Sequence, residues 1–183
     1  MGLFRRGETM RLVGVAAGVC AVVLALAGCS ESVDGQAEVS GAPLTKEQLF
    51  DPCNVPDEVL LAAGADPASK DDNPFSAPSS SWKGCGWRAG DFFVDLFSTT
   101  HTMEEFRENT LFHDFQEVTT AGRQGTQYLV GDKAPPTECG IAWESSQGRI
   151  AIHAAKASSS DSTADPCLVA KDAAPHFVEV LPK

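Results

Sequence analysis

The chain has 183 residues, and its 25 acidic side chains outnumber 14 basic ones, so the net charge at pH 7 is −11. This length suits a single domain with a sizeable core and is too long for a miniature disulfide scaffold. The acidic balance and the lack of a basic cluster argue against binding to nucleic acid and against electrostatic docking on anionic lipid.

The start of the chain has the pattern of an export signal. Arg5, Arg6 and Arg11 precede an uncharged run, residues 12–27, that is rich in Val, Leu, Ala and Gly. These are the charged and apolar regions of a signal peptide. The run is shorter than the about 20 apolar residues of a spanning helix, and no cluster of Lys or Arg follows it. We therefore expect residues 1–28 to be a cleaved lipoprotein signal peptide rather than a membrane span.

The end of this run matches the lipobox of bacterial lipoproteins. The motif is Leu26-Ala27-Gly28-Cys29, in which the Cys thiol is joined to a diacylglyceryl group and the chain is cut just before it. Two or more acyl chains, such as palmitate, give stable anchoring at about 0.8 kcal/mol per buried methylene, whereas one chain binds marginally. We expect Cys29 to hold the protein on the cell membrane, facing outward.

The segment that follows Cys29 has the composition of a flexible tether. Residues 29–44 contain Ser, Glu, Gly, Gln and Ala without a large apolar cluster. At roughly 5 to 6 Å times the square root of its length, such a tether reaches roughly 20 to 25 Å. The folded part is then residues 45–183. For its acidity, solubility outside the cell is the plain explanation, and a cation-binding surface is the alternative.

Four further cysteines predict two disulfides, because an even set in an exported chain is typical of a disulfide framework. Three pairings are possible, and we favour the sequential one because it joins each terminal helix to a nearby strand. A four-cysteine zinc site would need paired ligands two to four residues apart, and none of these cysteines has such a neighbour. We expect no metal and no cofactor. The favoured pairs are Cys53 with Cys85 and Cys139 with Cys167.

The first predicted element of the folded part is a short helix. Pro56 suits a first helical position, acidic residues fill the first turn, and Gly64 is a stop signal. These signals predict a helix over residues 56–63. The next stretch, residues 69–81, is rich in Ser, Pro and Asp and is typical of a surface loop.

Two strands follow, over residues 84–88 and 91–99, with a turn at Ala89-Gly90. The second is apolar on both faces, which favours a central and nearly buried strand. Asp95 is an unexpected residue in such a strand, and a solvated edge position is the commoner explanation for it. After this strand, Thr102 and Glu105 form a capping box that opens a helix to about Phe112.

The remaining elements are two pairs of strands and a final helix. One pair surrounds a turn at residues 122–125, and the second is a hairpin with its turn at residues 145–148. We expect Arg149 and His153 to face outward. The residues expected to face inward are Ile141, Trp143, Ile150 and Ile152.

The final helix begins at Asp165-Pro166, an N-cap followed by a residue suited to the first helical position. Pro175 is expected to kink or split it, because proline removes one backbone donor. The whole order of helices and strands predicts an α+β domain with an antiparallel sheet packed with a few helices and held by two disulfides.

The lipobox and the cysteine motifs together resemble a family of actinobacterial lipoproteins of unknown function, which includes mycobacterial Lpr-type lipoproteins. The motifs are Asp-Pro-Cys before a short helix, Cys-x-Trp on a strand, a Cys on a late strand and a Pro-Cys helix start. The resemblance covers nearly the whole chain and implies an envelope lipoprotein with a disulfide-bonded extracytoplasmic domain. It carries over Cys29 as the lipid-attachment residue and the other four cysteines as structural residues, and it implies no catalytic residue.

No constellation typical of an enzyme is present in the sequence. It has no nucleophile elbow, no paired-histidine metal motif and no phosphate-binding loop. His101 with Glu104 and Glu105 could gather metal ligands at a helix start, but a capping box explains the same residues. His113 and His153 have the pattern of surface histidines. We expect a protein that is not an enzyme; the alternative is an extracytoplasmic hydrolase or metal-dependent enzyme whose site the sequence does not reveal.

The expected function is therefore a non-catalytic binding or accessory module on a lipid tether. Its partner would be an envelope protein or a small apolar ligand. The candidate contact residues are Phe75, Trp82 and Tyr128, for which closing the edge of a core is the alternative role. A deep pocket with converging polar groups would favour a small ligand or catalysis, and a large exposed apolar patch would favour a protein partner.

Overall fold

The structure is a computed structural model that describes residues 44–74 and 79–183. The predicted signal peptide, Cys29 and most of the predicted tether lie outside the described residues. Short 3-10 turns at Lys46–Gln48 and Pro52–Asn54 precede the first helix. The helices and strands, in chain order, are α1 (Asp57–Ala62), β1 (Asp66–Asp71), β2 (Trp82–Ala89), β3 (Phe92–Thr99), α2 (Met103–Glu108), β4 (Phe112–Thr120), β5 (Arg123–Val130), β6 (Glu138–Trp143), β7 (Arg149–Lys156) and α3 (Pro166–Val178).

The strands form one antiparallel sheet in the order β1-β2-β3-β7-β6-β5-β4. This confirms the predicted α+β class with an antiparallel sheet. The hairpins β2–β3, β4–β5 and β6–β7 are local, and β7 returns to pair with β3. The β3–β7 ladder is regular from Phe92 opposite Lys156 to Thr99 opposite Arg149. It aligns the side chains of the first three strands with those of the last four.

The first face of the sheet packs against α1 and α3 and forms the main core. The four residues predicted to face inward, Ile141, Trp143, Ile150 and Ile152, are all buried there, as expected. Helix α3 buries Ala170, Ala173, Ala174 and Phe177 on this face. Three small side chains let the helix approach the sheet closely, so burial here removes a large apolar area from water.

The second face is also covered, which the sequence did not predict. Arg149 and His153 lie on the opposite side from the main core, as expected, but each is only 5% exposed. A second buried cluster, built around Phe106 of α2 and Tyr128 of β5, covers part of this face, with Phe112 of β4 packed on it. The expectation that both residues are surface residues is therefore wrong, because the ring of Phe106 of α2 packs on Arg149 and the ring of Phe112 lies near His153.

Arg149 is held within this covered face and has little freedom. Its guanidinium donates to the backbone carbonyl of His101 and pairs with the carboxylate of Glu144. The guanidinium carbon lies 5.7 Å from the ring centroid of Phe106. Burial lowers the pKa of Arg149 to about 10, so it remains charged at neutral pH. Its role is to tie the β6–β7 hairpin to the start of α2.

Two predicted elements have different bounds in the structure. The strand β1 occupies Asp66–Asp71, which includes the start of the predicted surface loop. It is a polar edge strand with Pro67, so its sequence has none of the apolar alternation of a half-buried strand. Helix α2 ends at Glu108 rather than near Phe112, because the Asn109 side chain accepts from the Leu111 N–H and turns the chain.

The turn between β4 and β5 also differs from the prediction. It lies at Ala121-Gly122, where φ is +48° and +79°. Two central residues with positive φ form the tight hairpin turn that matches strand twist, so residues 123–125 belong to β5. In α3, Pro175 does not split the helix. Proline costs the helix one backbone hydrogen bond. The burial of the neighbouring Ala174 and Phe177 in the main core offsets this cost.

The two disulfides are Cys53–Cys85 and Cys139–Cys167, which confirms the favoured pairing. In each repeat of Asp-Pro-Cys, the Asp carboxylate accepts a hydrogen bond from the Cys N–H, at 3.0 Å for Asp51 and 2.8 Å for Asp165. The Asp of the motif therefore caps a helical turn, and the Cys of the motif forms its disulfide with a strand. One disulfide joins the turn at Pro52–Asn54 to β2, and the other joins α3 to β6.

Replacing Cys139 and Cys167 together by Ala is expected to lower the free energy of unfolding by roughly 3 to 4 kcal/mol, because the disulfide closes a loop of 28 residues in the unfolded chain. Urea unfolding followed by tryptophan fluorescence measures the change. The control is the wild-type protein unfolded in the presence of reductant, which breaks both disulfides. It should be less stable than the double variant, because it also loses Cys53–Cys85. A decrease below about 1 kcal/mol would contradict the expected role of this bridge.

Candidate binding site on the second face of the sheet

Five residues lie side by side across five neighbouring strands on the second face. They are Gly86 of β2, Asp95 of β3, His153 of β7, Gly140 of β6 and Tyr128 of β5, and each is the register partner of the next. We call this set the polar row. Because strands that are adjacent in a sheet lie about 4.8 Å apart, polar groups from distant parts of the sequence meet here.

The two glycines of the polar row make room for their neighbours. A Cβ on Gly140 would lie 2.6 Å from the Tyr128 ring, and a Cβ on Gly86 would overlap the Asp95 carboxylate. Glycine in a strand interior often marks such a close approach. The Tyr128 side chain can therefore cross β6 towards His153, and the Asp95 carboxylate can lie over β2.

His153 is held by hydrogen bonds at both ring nitrogens. The Tyr128 hydroxyl lies 2.8 Å from Nε2, and a Glu138 carboxylate oxygen lies 2.7 Å from Nδ1. In the neutral ring, Nδ1–H donates to Glu138 and Nε2 accepts from Tyr128. Burial raises the pKa of Tyr128 far above its ordinary value, so its phenol keeps the proton. Both ring nitrogens of His153 thus have partners within the protein.

Asp95 has a different environment, because no described residue donates a hydrogen bond to its carboxylate or forms an ion pair with it. Burial raises its pKa from 3.8 to about 6; the negative charges of Glu138 and Asp71 add to this rise, and His153 opposes it. A perturbed carboxyl group in a cleft is a common sign of a functional site.

These polar groups form one wall of a cavity of about 710 Å³. Pockets for small molecules typically measure about 300 to 1,000 Å³ and are lined mainly by apolar groups with a few fixed polar ones. The carboxylates of Asp95 and Glu138 and the ring of His153 lie on the sheet side of the cavity. Three aromatic rings, those of Trp82, Phe97 and Phe112, also line the cavity.

The charge of the cavity is predominantly negative. The acidic lining residues are Asp95, Asp132 and Glu138, and the basic one is Lys133. Asp132 and Lys133 are exposed, whereas Asp95 and Glu138 are partly buried. Since charges interact more strongly where water is excluded, the two inner carboxylates dominate the potential that a bound molecule meets.

The candidate metal ligands from the sequence do not lie in this cavity. The capping box of α2 is present, with Thr102 and Glu105 bonded reciprocally. His101 lies 3.5 Å from the Glu105 carboxylate and 3.1 Å from the Ser81 hydroxyl, while Glu104 is exposed. Within residues 44–74 and 79–183, no group of three His, Cys, Asp or Glu side chains has the geometry to hold a metal ion.

The candidate contact residues are divided between the cavity and the core. Trp82 lines the cavity, and Phe75 lies outside the described residues. Tyr128 is fully buried, so of its two proposed roles the closing of the core is the one observed. Glu138 was not predicted as a site residue, and His153 was predicted to be a surface residue. No local motif marks either of them, because they meet through the pairing of β6 with β7.

The fold and this site together define a disulfide-bonded α+β domain with a ligand-sized pocket over a buried polar cluster. The chain belongs to the family described as "Protein of unknown function (DUF3558)", whose model matches residues 24–179. No curated protein and no solved structure matches the chain. Among the described residues, no helix is both long and apolar enough to cross a bilayer.

Replacing Asp95 by Asn is expected to stabilise the domain at pH 7 by roughly 1 to 3 kcal/mol. The raised pKa means that folding favours the protonated carboxyl group, so its stabilisation is complete below about pH 4 and is lost as the pH rises through about 6. Asn imitates the neutral form at every pH. The gain should therefore vanish near pH 4.

Urea unfolding at pH 4 and pH 7 measures this difference. Asp172→Asn, which removes a carboxylate from the exposed side of α3, is the matched control and should change the free energy of unfolding by less than about 0.5 kcal/mol. A destabilised Asp95→Asn protein at pH 7 would show that the carboxylate is satisfied in the fold, contrary to the geometry described above.

Proposed function

We propose that this protein is a lipid-anchored, extracytoplasmic binding domain that holds a small ligand in the cavity over the polar row and carries out no chemistry on it. The observation that carries this proposal is the cavity itself. It has the size of a small-molecule pocket, and both acceptor groups and aromatic rings line it.

Binding is favoured over catalysis by the way the polar groups are used. General acid–base chemistry needs a side chain that can exchange a proton with the substrate. A hydrolase needs a nucleophile and a base in contact. In the polar row that contact joins the Tyr128 hydroxyl to His153, and Tyr128 is fully buried. A second such contact, between Ser81 and His101, involves residues that do not line the cavity. Asp95 lines the cavity, but no described residue donates a hydrogen bond to its carboxylate.

Anchoring and export are supported by two independent features. The lipobox ends at Cys29, immediately after an apolar run of signal-peptide length. The two disulfides are the second feature, since such bonds persist in oxidising compartments and are rare in the cytosol. A tethered pocket could present its ligand to another envelope component, which would be the accessory role.

Binding in the cavity is tested by titrating the segment from Ser30 to Lys183 with 4-phenylbutanol. This segment contains the whole sheet, all three helices and both disulfides, which pack on one another. We expect amide NMR shift changes at cavity residues and a Kd on the order of 1 mM for a probe of this size. Native mass spectrometry of the segment exported from a lipoprotein-processing bacterial host would reveal a co-purified ligand.

The matched variants are Ala155→Phe and Ala68→Phe. Ala155 lines the cavity, so a phenyl ring there should fill the space and weaken binding at least tenfold. Ala68 is exposed on the edge strand β1, so the same substitution there should leave the Kd unchanged. Absence of any shift change at cavity residues, or equal binding by the Ala155→Phe protein, would refute the proposed pocket. Turnover of a substrate by the wild-type protein would refute the absence of chemistry.

Cys29→Ser is expected to abolish metabolic labelling with an alkyne-tagged palmitate and to leave an uncleaved precursor, because the thiol that receives the diacylglyceryl group is missing. Cys20→Ser is the matched control, since Cys20 lies inside the apolar run and outside the lipobox. Labelling and the size of the processed chain are measured on gels from whole cells. Full labelling of the Cys29→Ser protein would contradict the anchor.

A further inference from the structure

We propose that the cavity selects an organic cation, namely a ligand with a protonated amine next to an apolar or aromatic body, and that Asp95 and Glu138 receive the amine. This inference rests on the proposed function, because it names the chemical class of the ligand that the cavity binds. Three features of the described residues support it.

The first feature is unbalanced negative charge at the inner wall. Asp95 has no hydrogen-bond donor and forms no ion pair among the described residues. Glu138 uses one carboxylate oxygen to accept from His153, and none of the hydrogen bonds of the described residues uses the other. An ammonium group has three donors and no acceptor. It therefore matches a wall that offers only acceptors, whereas a carboxylate or phosphate would be repelled there.

The second feature is that the acceptors are positioned before any ligand arrives. Tyr128 and Glu138 hold His153 from both sides, and the hydrogen bond to His153 in turn orients the Glu138 carboxylate. The absence of a side chain at Gly86 leaves the Asp95 carboxylate its place over β2. Binding then needs little ordering of side chains, which is one of the main costs of association.

The third feature is the aromatic character of the remaining walls. The ring of Phe97 lies edge-on to His153, with centroids 5.0 Å apart, and the rings of Trp82 and Phe112 also face the cavity. Aromatic faces attract cations and bury apolar groups. An amine that carries an apolar body would use both walls at once, whereas a neutral molecule would use the aromatic walls alone.

The affinity for such a cation should depend on pH through the groups that surround Asp95. These are His153 on β7, Glu138 on β6, Asp71 on β1, and Asp132 with Lys133 at the rim of the cavity. The pKa of Asp95 is raised to about 6, so its carboxylate becomes charged as the pH rises from 5 to 7.5. A cation should therefore bind more tightly at the higher pH.

The test compares three probes of nearly equal size that differ in charge: 4-phenylbutylamine, 4-phenylbutanol and 4-phenylbutyrate. Each is titrated into the Ser30–Lys183 protein at pH 7.5 and followed by NMR shifts at cavity residues. We expect the amine to bind at least tenfold more tightly than the alcohol and the butyrate to bind most weakly. At pH 5 the affinity for the amine should fall several-fold, while that for the alcohol should stay constant.

Asp95→Asn should weaken the binding of the amine several-fold, because only the Glu138 carboxylate then remains at the inner wall, and should leave the affinity for the alcohol unchanged. Because this variant is expected to be more stable than the wild type at pH 7, a loss of affinity cannot be assigned to unfolding. Asp172→Asn, remote from the cavity, is the control and should bind all three probes as the wild type does.

The outcomes separate this inference from the proposed function. If the alcohol binds in the cavity as tightly as the amine, or if the butyrate binds most tightly, the cation inference is overturned and the pocket remains. If none of the three probes binds, both proposals are overturned. Unchanged affinity of the Asp95→Asn protein for the amine would also overturn the inference, because the assigned acceptor would have no effect.

Discussion

The antiparallel pairing of β3 with β7 is the constraint on which the rest of the structure depends. It joins the first three strands to the last four in one sheet and runs without a register shift over the whole length of both strands. Since side chains alternate between faces, a slip of one residue would exchange the buried sets of the two faces. The register thus places Ile152 in the main core and, one residue later, sets His153 opposite Asp95.

The two faces of this sheet differ in what they bury. The first face, with α1, α3 and the apolar residues between them, contains the main core, and both disulfides join it to the turns that begin with Asp-Pro-Cys. The second face has a smaller aromatic cluster and the polar row. Because most of the stabilisation comes from the first face, the second can tolerate a partly buried carboxylate that lacks a partner. Such a group opposes folding at neutral pH, because burial disfavours the charged carboxylate.

The polar row also explains the distribution of glycines in the strands. Gly84, Gly86 and Gly140 each face a side chain of the neighbouring strand, those of Phe97, Asp95 and Tyr128, which lies across the space that a Cβ would occupy. Glycine weakens a strand by its entropy and its lack of packing surface. Here the loss is offset, because Phe97 and Tyr128 pack across the gaps. The arrangement lets bulky groups lie flat on the sheet and leaves the cavity open above them.

The order of most elements, the disulfide-bonded α+β class and the burial of Ile141, Trp143, Ile150 and Ile152 in the main core could be predicted from the sequence, because they depend on local periodicity, caps and turn residues. The edge strand β1 was missed because it is polar, and the end of α2 was misplaced because a side-chain turn at Asn109 overrides the helical pattern. The site, in contrast, depends on tertiary contacts. Asp95, Glu138 and His153 come together through pairing between distant strands, and the second face is covered by aromatic rings from α2 and β4, which no local pattern encodes.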